Sequence, residues 1–313
     1  MPGKSSNKVG VFGANGFIGR HLVRRLCRDG VPTIAFGRDF PADYSEIVGH
    51  DVETRRMDLS DVLRTQIVTQ EISTVVQLIS SSGPALGNAR IVSDISSNIA
   101  PHVSFIESCI MAKVESYVFL SSGGTIYGPP ERLPISEDHP TNPISSYGMT
   151  KMIAEQYLRL LCRNSTMGYT SLRVSNPFGP GQDTTKGQGL VAFILKSLSE
   201  ARPVTVYGDG KSQRDYLYIA DLIDAICAAI DRPAVGGPVN IGSGVGRSIL
   251  DVIAALEQVT GRDVPVVFAD ERATDTRSNI LDPAKARKLL GWAPKTDFMD
   301  GLRMTVRAFG EAG

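Results

Sequence analysis

The chain is predicted to be an α/β protein, a doubly wound parallel sheet joined to a smaller, discontinuous second domain toward the C-terminus. Three observations carry this. A glycine-rich turn, Gly13-Ala14-Asn15-Gly16-Phe17-Ile18-Gly19, stands between a short apolar run and a helical pattern. Further apolar runs recur with helical stretches between them, which is the rhythm of repeated strand–helix–strand units. A dense cluster of chain breakers, Asn176-Pro177-Phe178-Gly179-Pro180-Gly181, then interrupts the rhythm.

Lys8 to Phe12 reads as the first strand, and Phe17, Ile18, His21, Leu22, Arg25 and Leu26 recur at helical period after the turn. Pro32 to Phe36 is a second strand, ending at Gly37-Arg38-Asp39. Thr74 to Ile79 and Ser116 to Leu120 are short apolar runs of the kind buried on both faces in a parallel sheet. A helix around Tyr147 to Cys162 leads to a strand at Thr170 to Val174. Beyond the breaker cluster lie a helical stretch, Leu190 to Ala201, and a strand-turn, Val204 to Gly210. Asp221 to Ile230 and Pro238 to Ile241 read as a return to the first domain, and helical stretches at Leu250 to Thr260 and Pro283 to Leu290 complete the second. The expected division is residues 1–174 plus 216–241 for dinucleotide binding, and 175–215 plus 242–313 for substrate.

Composition narrows the partners. Lys+Arg and Asp+Glu both total 33 among 313 residues, so no global charge excess points to nucleic acid or a membrane surface, and an anionic ligand needs a local site. Cys27, Cys109, Cys162 and Cys227 are dispersed without a C-x-x-C pair, as expected of thiols in a reducing compartment. The first eight residues have no apolar core, and no run approaches the roughly 18 apolar residues of a membrane span. A cytoplasmic protein is expected. His21, His50, His102 and His139 lack metal-ligand spacing, so no metal is expected.

The glycine turn supplies the first chemical hypothesis. Between a strand and a helix, such a turn lets backbone N–H groups approach a pyrophosphate at the positive end of the helix. Gly13, Gly16 and Gly19 follow G-x-x-G-x-x-G, one residue wider than the usual dinucleotide fingerprint. The second hypothesis comes from Tyr147 and Lys151, four residues apart and therefore on one helix face. A lysine ammonium so placed favours an ionised phenol, whose ordinary pKa of about 10 is too high for base work at neutral pH. A bound oxidised nicotinamide would add further positive charge. Turn and pair together suggest an enzyme that moves hydride.

An acidic side chain at the end of the second strand would bond a ribose 2′-hydroxyl, whereas an arginine accommodates a 2′-phosphate. Here Arg38 stands there with Asp39 after it, which tilts the choice between NAD and NADP slightly toward NADP. Asp58, followed by Leu59, could accept from the adenine amino group or cap the helix after it.

The chain resembles the extended short-chain dehydrogenase/reductases, the NAD-dependent epimerase/dehydratase family, and within it UDP-glucose 4-epimerase-like proteins. The resemblance rests on VFGANGFIG (11–19), SSGGTIYG (121–128), SSYGMTK (145–151), SNPFGPG (175–181), VYGDG (206–210), Arg214-Asp215-Tyr216 and Leu290-Gly291-Trp292. It implies a Rossmann domain whose cofactor meets Gly13, Asn15, Gly16, Phe17, Ile18, Gly19, Arg38, Asp58, Leu59 and Ser121. It implies Tyr147 as general base or acid, and Lys151 holding the nicotinamide ribose while lowering the tyrosine pKa. Asn176 would touch the sugar or diphosphate, and Leu190, beside Gly189, matches the substrate-binding motif. Tyr207 would lie by the nucleotide base, and Arg214 with Arg272 would neutralise the diphosphate. For Tyr207 core packing is the alternative, and for Arg272 a surface ion pair with Asp275 or Glu271. The resemblance also implies a homodimer paired through helices around Ile99 to Ala112 and Lys151 to Arg163, whose apolar positions could equally face the protein's own sheet.

Two departures bear on mechanism. The Ser or Thr that usually bonds the catalytic tyrosine falls at Gly123, so the hydroxyl is expected from Ser122 first and Thr125 second. Gly124 and Thr125 stand where nucleotide-sugar 4,6-dehydratases carry an Asp-Glu pair, which disfavours dehydration. A lesser difference is Gly189, where some epimerases place an asparagine. The leading expectation is a nucleotide-sugar C4 epimerase of UDP-hexose type, working through a 4-keto sugar. The first alternative is an NADPH-dependent 4-ketoreductase, and the second a catalytically silent nucleotide-binding protein.

Overall fold

The computed structural model describes residues 8–61, 65–66, 69–83, 91–183, 189–271 and 276–311. Along the chain, β1 (Val9–Phe12), α1 (Phe17–Arg28), β2 (Thr33–Gly37), α2 (Tyr44–Val48) and β3 (Glu53–Arg56) come first. Then follow β4 (Thr74–Gln77), α3 (Ile91–Asn98), α4 (Ala100–Met111), β5 (Ser116–Ser122), α5 (Ser146–Cys162) and β6 (Gly168–Val174). After the breaker cluster come β7 (Asn176–Phe178), α6 (Leu190–Ser199), β8 (Val204–Tyr207), β9 (Gln213–Tyr218), α7 (Ile219–Asp231) and β10 (Gly237–Ile241). The chain closes with β11 (Gly246–Ser248), α8 (Ile249–Thr260), β12 (Val266–Ala269), β13 (Ser278–Asn279), α9 (Ala284–Leu290) and α10 (Phe298–Glu311).

A seven-stranded sheet has the order β10-β6-β5-β4-β1-β2-β3, the doubly wound arrangement expected. β1 runs parallel to both β2 and β4, with Phe12 opposite Phe36 on one side and Gln77 on the other. That register builds the core. The Phe12 and Phe36 rings stack at 4.4 Å, and Phe105 of α4 meets Phe12 edge-on at 4.6 Å. Leu22, Val23 and Leu26 form the buried face of α1, as the helical period of the sequence requires.

Two compact units result. The first comprises Met1–Ser122, Ser145–Arg173 and Ile223–Val239, and the second Gly123–Ile144, Val174–Leu222 and Asn240–Gly313. Within the second, β9 is flanked by β11 and β13 and also pairs with β7, while β8 and β12 form a separate parallel pair.

Two strands carry no clear apolar period in the sequence. β3 (ETRR) is a polar edge strand, stabilised by pairing to β2 and by Arg55 bridging Glu53 and Glu71 rather than by burial. β9 contains three charged or amide side chains before Tyr216, and is held by neighbours distant in sequence. α10, beginning at Phe298, packs its apolar stripe on α8. β2 begins at Thr33 rather than Pro32, since proline lacks the N–H a strand ladder uses.

Candidate active site

The turn after β1 is shaped by its glycines. Gly13 adopts φ +94, and its N–H and that of Ala14 both reach the carbonyl of Phe36. A Cβ on Gly19 would lie 2.3 Å from the Gly13 oxygen, so only glycine lets α1 start this close to the turn. Gly16 caps α1 without a side-chain hydrogen bond, and the first turn, which contains Phe17 and Ile18, has no acidic residue. Its N–H groups therefore face no competing carboxylate, as an anion at a helix N-terminus requires. Asn15 is a structural clamp in this turn: its amide donates to the Asp39 carbonyl at 3.2 Å, and its Oδ1 accepts from Arg20 at 2.8 Å.

Arg38 is exposed at the end of β2, and its charge acts on Asp58, also exposed. The Asp58 carboxylate accepts from the Ser60 hydroxyl at 2.7 Å and the Ser60 N–H at 2.9 Å, and these bonds hold its pKa below the usual carboxylate range. Leu59 is buried in the core, so its side chain anchors the segment.

Strand β5 and helix α5 bring the reactive groups together. Ser145 caps α5 by accepting from the Gly148 N–H, which sets Tyr147 and Lys151 on the first turns. The Ser122 hydroxyl, last in β5, hydrogen-bonds the Tyr147 phenol. The Lys151 ammonium lies 5.9 Å from the Tyr147 ring centroid and donates to the Leu120 carbonyl at 2.9 Å. It also sits 4.9 Å over Phe119. Burial pushes the Tyr147 phenol up to about 12 despite the Ser122 bond, and Asp94 adds to the rise. Burial also brings Lys151 down to about 8, partly opposed by Glu155. The charge pattern at neutral pH is thus a protonated phenol beside a lysine that is still largely charged.

Ser121 is buried, and its hydroxyl has no hydrogen-bond partner among the described residues. An unsatisfied hydroxyl at the end of a sheet strand, together with the glycine turn on the same unit, fits a dinucleotide. Thr125 lies in the turn beyond β5, part-exposed and within the second unit. At Gly123 the backbone alone makes contacts: its N–H donates to Val174 and its carbonyl accepts from Asn279.

In the second unit, Asn176 donates to the Asp215 carbonyl at 3.0 Å. Leu190 opens α6 and is part-exposed. Tyr207 ends β8 and is 38% exposed, which removes core packing as its role. Arg214 donates to the Gln213 carbonyl at 2.9 Å. Arg272 lies outside the described residues.

Sequence reasoning missed two features of these units. Arg247 is register partner to Arg214 across the β9–β11 pair, so two arginines project from the same face. It stacks on Phe298 at 4.2 Å and makes no hydrogen bond among the described residues. Like charges placed directly opposite destabilise a strand pair, and here the carboxylates of Asp297, Asp215 and Asp251 act on the Arg247 charge. The second is a buried network around Asp94, which accepts from Asn98 and from Ser146, the residue before Tyr147.

A family model described as the NAD dependent epimerase/dehydratase family matches residues 9–242. The chain belongs to that family. Among curated relatives of this epimerase/dehydratase chain, a UDP-glucose 4-epimerase of Mycolicibacterium smegmatis is 31% identical over 309 residues, covering 96% of this chain and 97% of the relative. A dTDP-4-dehydro-6-deoxyglucose reductase of Escherichia coli is 29% identical over 312 residues, with 96% and 97% covered. Among solved structures, a Thermus thermophilus UDP-glucose 4-epimerase in complex with NAD is 30% identical with a TM-score of 0.90, covering 98% of this chain and all of that one. As in those relatives, the fold is a Rossmann-type α/β sheet. No helix among the described residues is long and apolar enough to cross a membrane.

Proposed function

We propose that the protein is a nucleotide-sugar 4-epimerase acting on a UDP-hexose, with Tyr147 as its acid–base group. The observation that carries this reading is the Ser122–Tyr147–Lys151 cluster at the end of β5, in a member of the epimerase/dehydratase family. A bound nicotinamide supplies the hydride acceptor and donor. The chain's own work is proton transfer and binding. Tyr147, as phenolate, takes the proton from the sugar C4 hydroxyl as that carbon is oxidised to a 4-keto sugar. It returns the proton to the carbonyl oxygen when the carbon is reduced from the other face. Lys151 stabilises the phenolate, and Ser122 donates to it. Ser121, Gly13, Gly16 and Gly19 hold the dinucleotide, with Asn15 fixing the turn.

For the substrate we assign Asn176, Leu190, Tyr207 and Arg214 from their match to the family motifs, and Arg272 on the same ground. Arg247, the register partner of Arg214 across β9 and β11, joins it as a second cation for the diphosphate. A 4-ketoreductase is the second reading. It is favoured by the similarity to a 4-keto-sugar nucleotide reductase.

The deciding experiment incubates purified protein with UDP-glucose and, separately, with a 4-keto sugar nucleotide plus NADPH. C4 inversion without net change in NAD(P)H absorbance is expected. Stoichiometric NADPH consumption with no inversion would replace the epimerase with the reductase. We also assign Arg38 to a 2′-phosphate. Arg38→Ala should weaken NADP binding relative to NAD by about tenfold, one charge-assisted contact's worth, and an unchanged ratio removes that assignment.

We further propose a homodimer formed through α5. Met149, Tyr157 and Leu160 project apolar surface from it, and Ile153, Gln156, Tyr157 and Leu160 line a shallow groove. Met111 of α4 is also strongly exposed. Patches of this kind mark association surfaces. Sedimentation velocity should show a dimer that Leu160→Glu converts to monomer; a wild-type monomer at micromolar concentration overturns the proposal.

A further inference from the structure

Asp94 is a carboxylate on α3 with only 5% of its surface exposed. It accepts hydrogen bonds from three segments of the first unit. Asn98 donates from one turn along α3 at 2.6 Å, Ser146 from the start of α5 at 2.7 Å, and Ser82 from the chain beyond β4. Asn98 passes the connection on, since its Oδ1 accepts the Ser81 N–H at 2.9 Å. A buried carboxylate costs stability unless it is well solvated by donors, and a fully connected network of this kind rigidifies what it joins. Ser146 immediately precedes Tyr147, so the network fixes the residue at which the reactive phenol enters α5.

The position of the charge is as informative as its bonds. Tyr147 faces Lys151 from its own helix, Ser122 from β5 and Asp94 from α3. Behind Lys151 lies His102 of α4, buried, its ring edge-on to Phe119 at 6.1 Å, and burial holds it neutral with a pKa of about 3. Glu155 faces Lys151 from the next turn of α5. Of these groups, Asp94 is the anion that acts on Tyr147, and a nearby negative charge favours the neutral phenol.

We propose that Asp94 is a positioning residue that holds the start of α5 through Ser146 and so places a buried carboxylate at the turn that carries Tyr147. The inference rests on the reading of Tyr147 as the acid–base group.

The test titrates the tyrosinate absorbance of the full-length protein with bound NAD, using Tyr147→Phe as the blank, and compares it with the pH dependence of kcat. Removing a nearby negative charge favours the ionised phenol, so Asp94→Asn should move both midpoints to lower pH. Asp94→Glu, which keeps the charge, should restore the wild-type midpoint. Ser146→Ala keeps the carboxylate but cuts its tether. It should lower kcat about tenfold, the usual scale for a small misplacement of a reacting group, with KM and the midpoint unchanged. A folded Asp94→Asn protein that titrates like wild type overturns the proposal. If that variant does not fold, a wild-type kcat for Ser146→Ala overturns it instead. Because the titration needs no sugar substrate, its failure is separable from a wrong reading of the reaction.

Discussion

Replacing Tyr147 with phenylalanine is expected to lower kcat by about 10²–10⁴-fold, the range attributed to a positioned proton-transfer group, while dinucleotide binding stays close to wild type. The reasoning is local. The phenol oxygen is the group that Ser122 bonds, and the Lys151 ammonium lies 5.9 Å from its ring centroid. The ring itself packs unchanged in the variant, so the fold and the glycine turn after β1 are left intact. Initial-rate assays with the substrate identified by the inversion experiment, together with a fluorescence titration of the dinucleotide, give both numbers. A variant that retains activity within threefold or so of wild type, below the smallest effect of a lost acid–base group, would show that the proton moves elsewhere. That result would sink the catalytic assignment.

The second large effect is on stability. Arg173 of β6 and Glu155 of α5 form an ion pair with both side chains about 95% buried, their exposures being 5% and 6%. The guanidinium donates through Nε to the two carboxylate oxygens at 3.1 and 3.2 Å, and through Nη2 at 2.7 Å. Desolvating both ions offsets much of what the pair contributes, but removing one partner leaves an uncompensated buried charge. Arg173→Met should therefore destabilise the protein by about 3–5 kcal/mol, read as a fall in the urea midpoint at neutral pH. The double change Arg173→Met with Glu155→Leu should recover most of that loss, because no charge is then stranded. A single variant as stable as wild type would mean that the pair is solvated in solution. The pair also reaches the active site, since Glu155 supports the charge on Lys151 one turn earlier.

Much of the first unit was legible without coordinates. The β1–turn–α1 segment is local: apolar run, glycines and helical period all lie within 21 residues, and each reports on backbone geometry that the residues themselves impose. The spacing of Tyr147 and Lys151 is likewise a property of one helix. Ser122 bonds Tyr147 across a strand end and a helix start, a contact that no linear pattern carries. Asp94 was invisible for the same reason. Its three donors come from residues 82, 98 and 146, and nothing in a linear pattern distinguishes it from a solvated helix carboxylate. Polar β3 and β9 escaped notice because their stability comes from ladder partners and not from a period of apolar side chains.

The amino-acid sequence by itself determined the doubly wound sheet, the anion-ready turn and the tyrosine–lysine helix face, because each depends on sterics and periodicity over a few neighbouring residues. Tertiary structure alone decided that Ser122 comes to Tyr147 from a strand end, that Arg247 stands opposite Arg214, and that Asp94 is buried in a network reaching Ser146. Those outcomes depend on which distant side chains share a desolvated space, where charges act on one another strongly and in both directions.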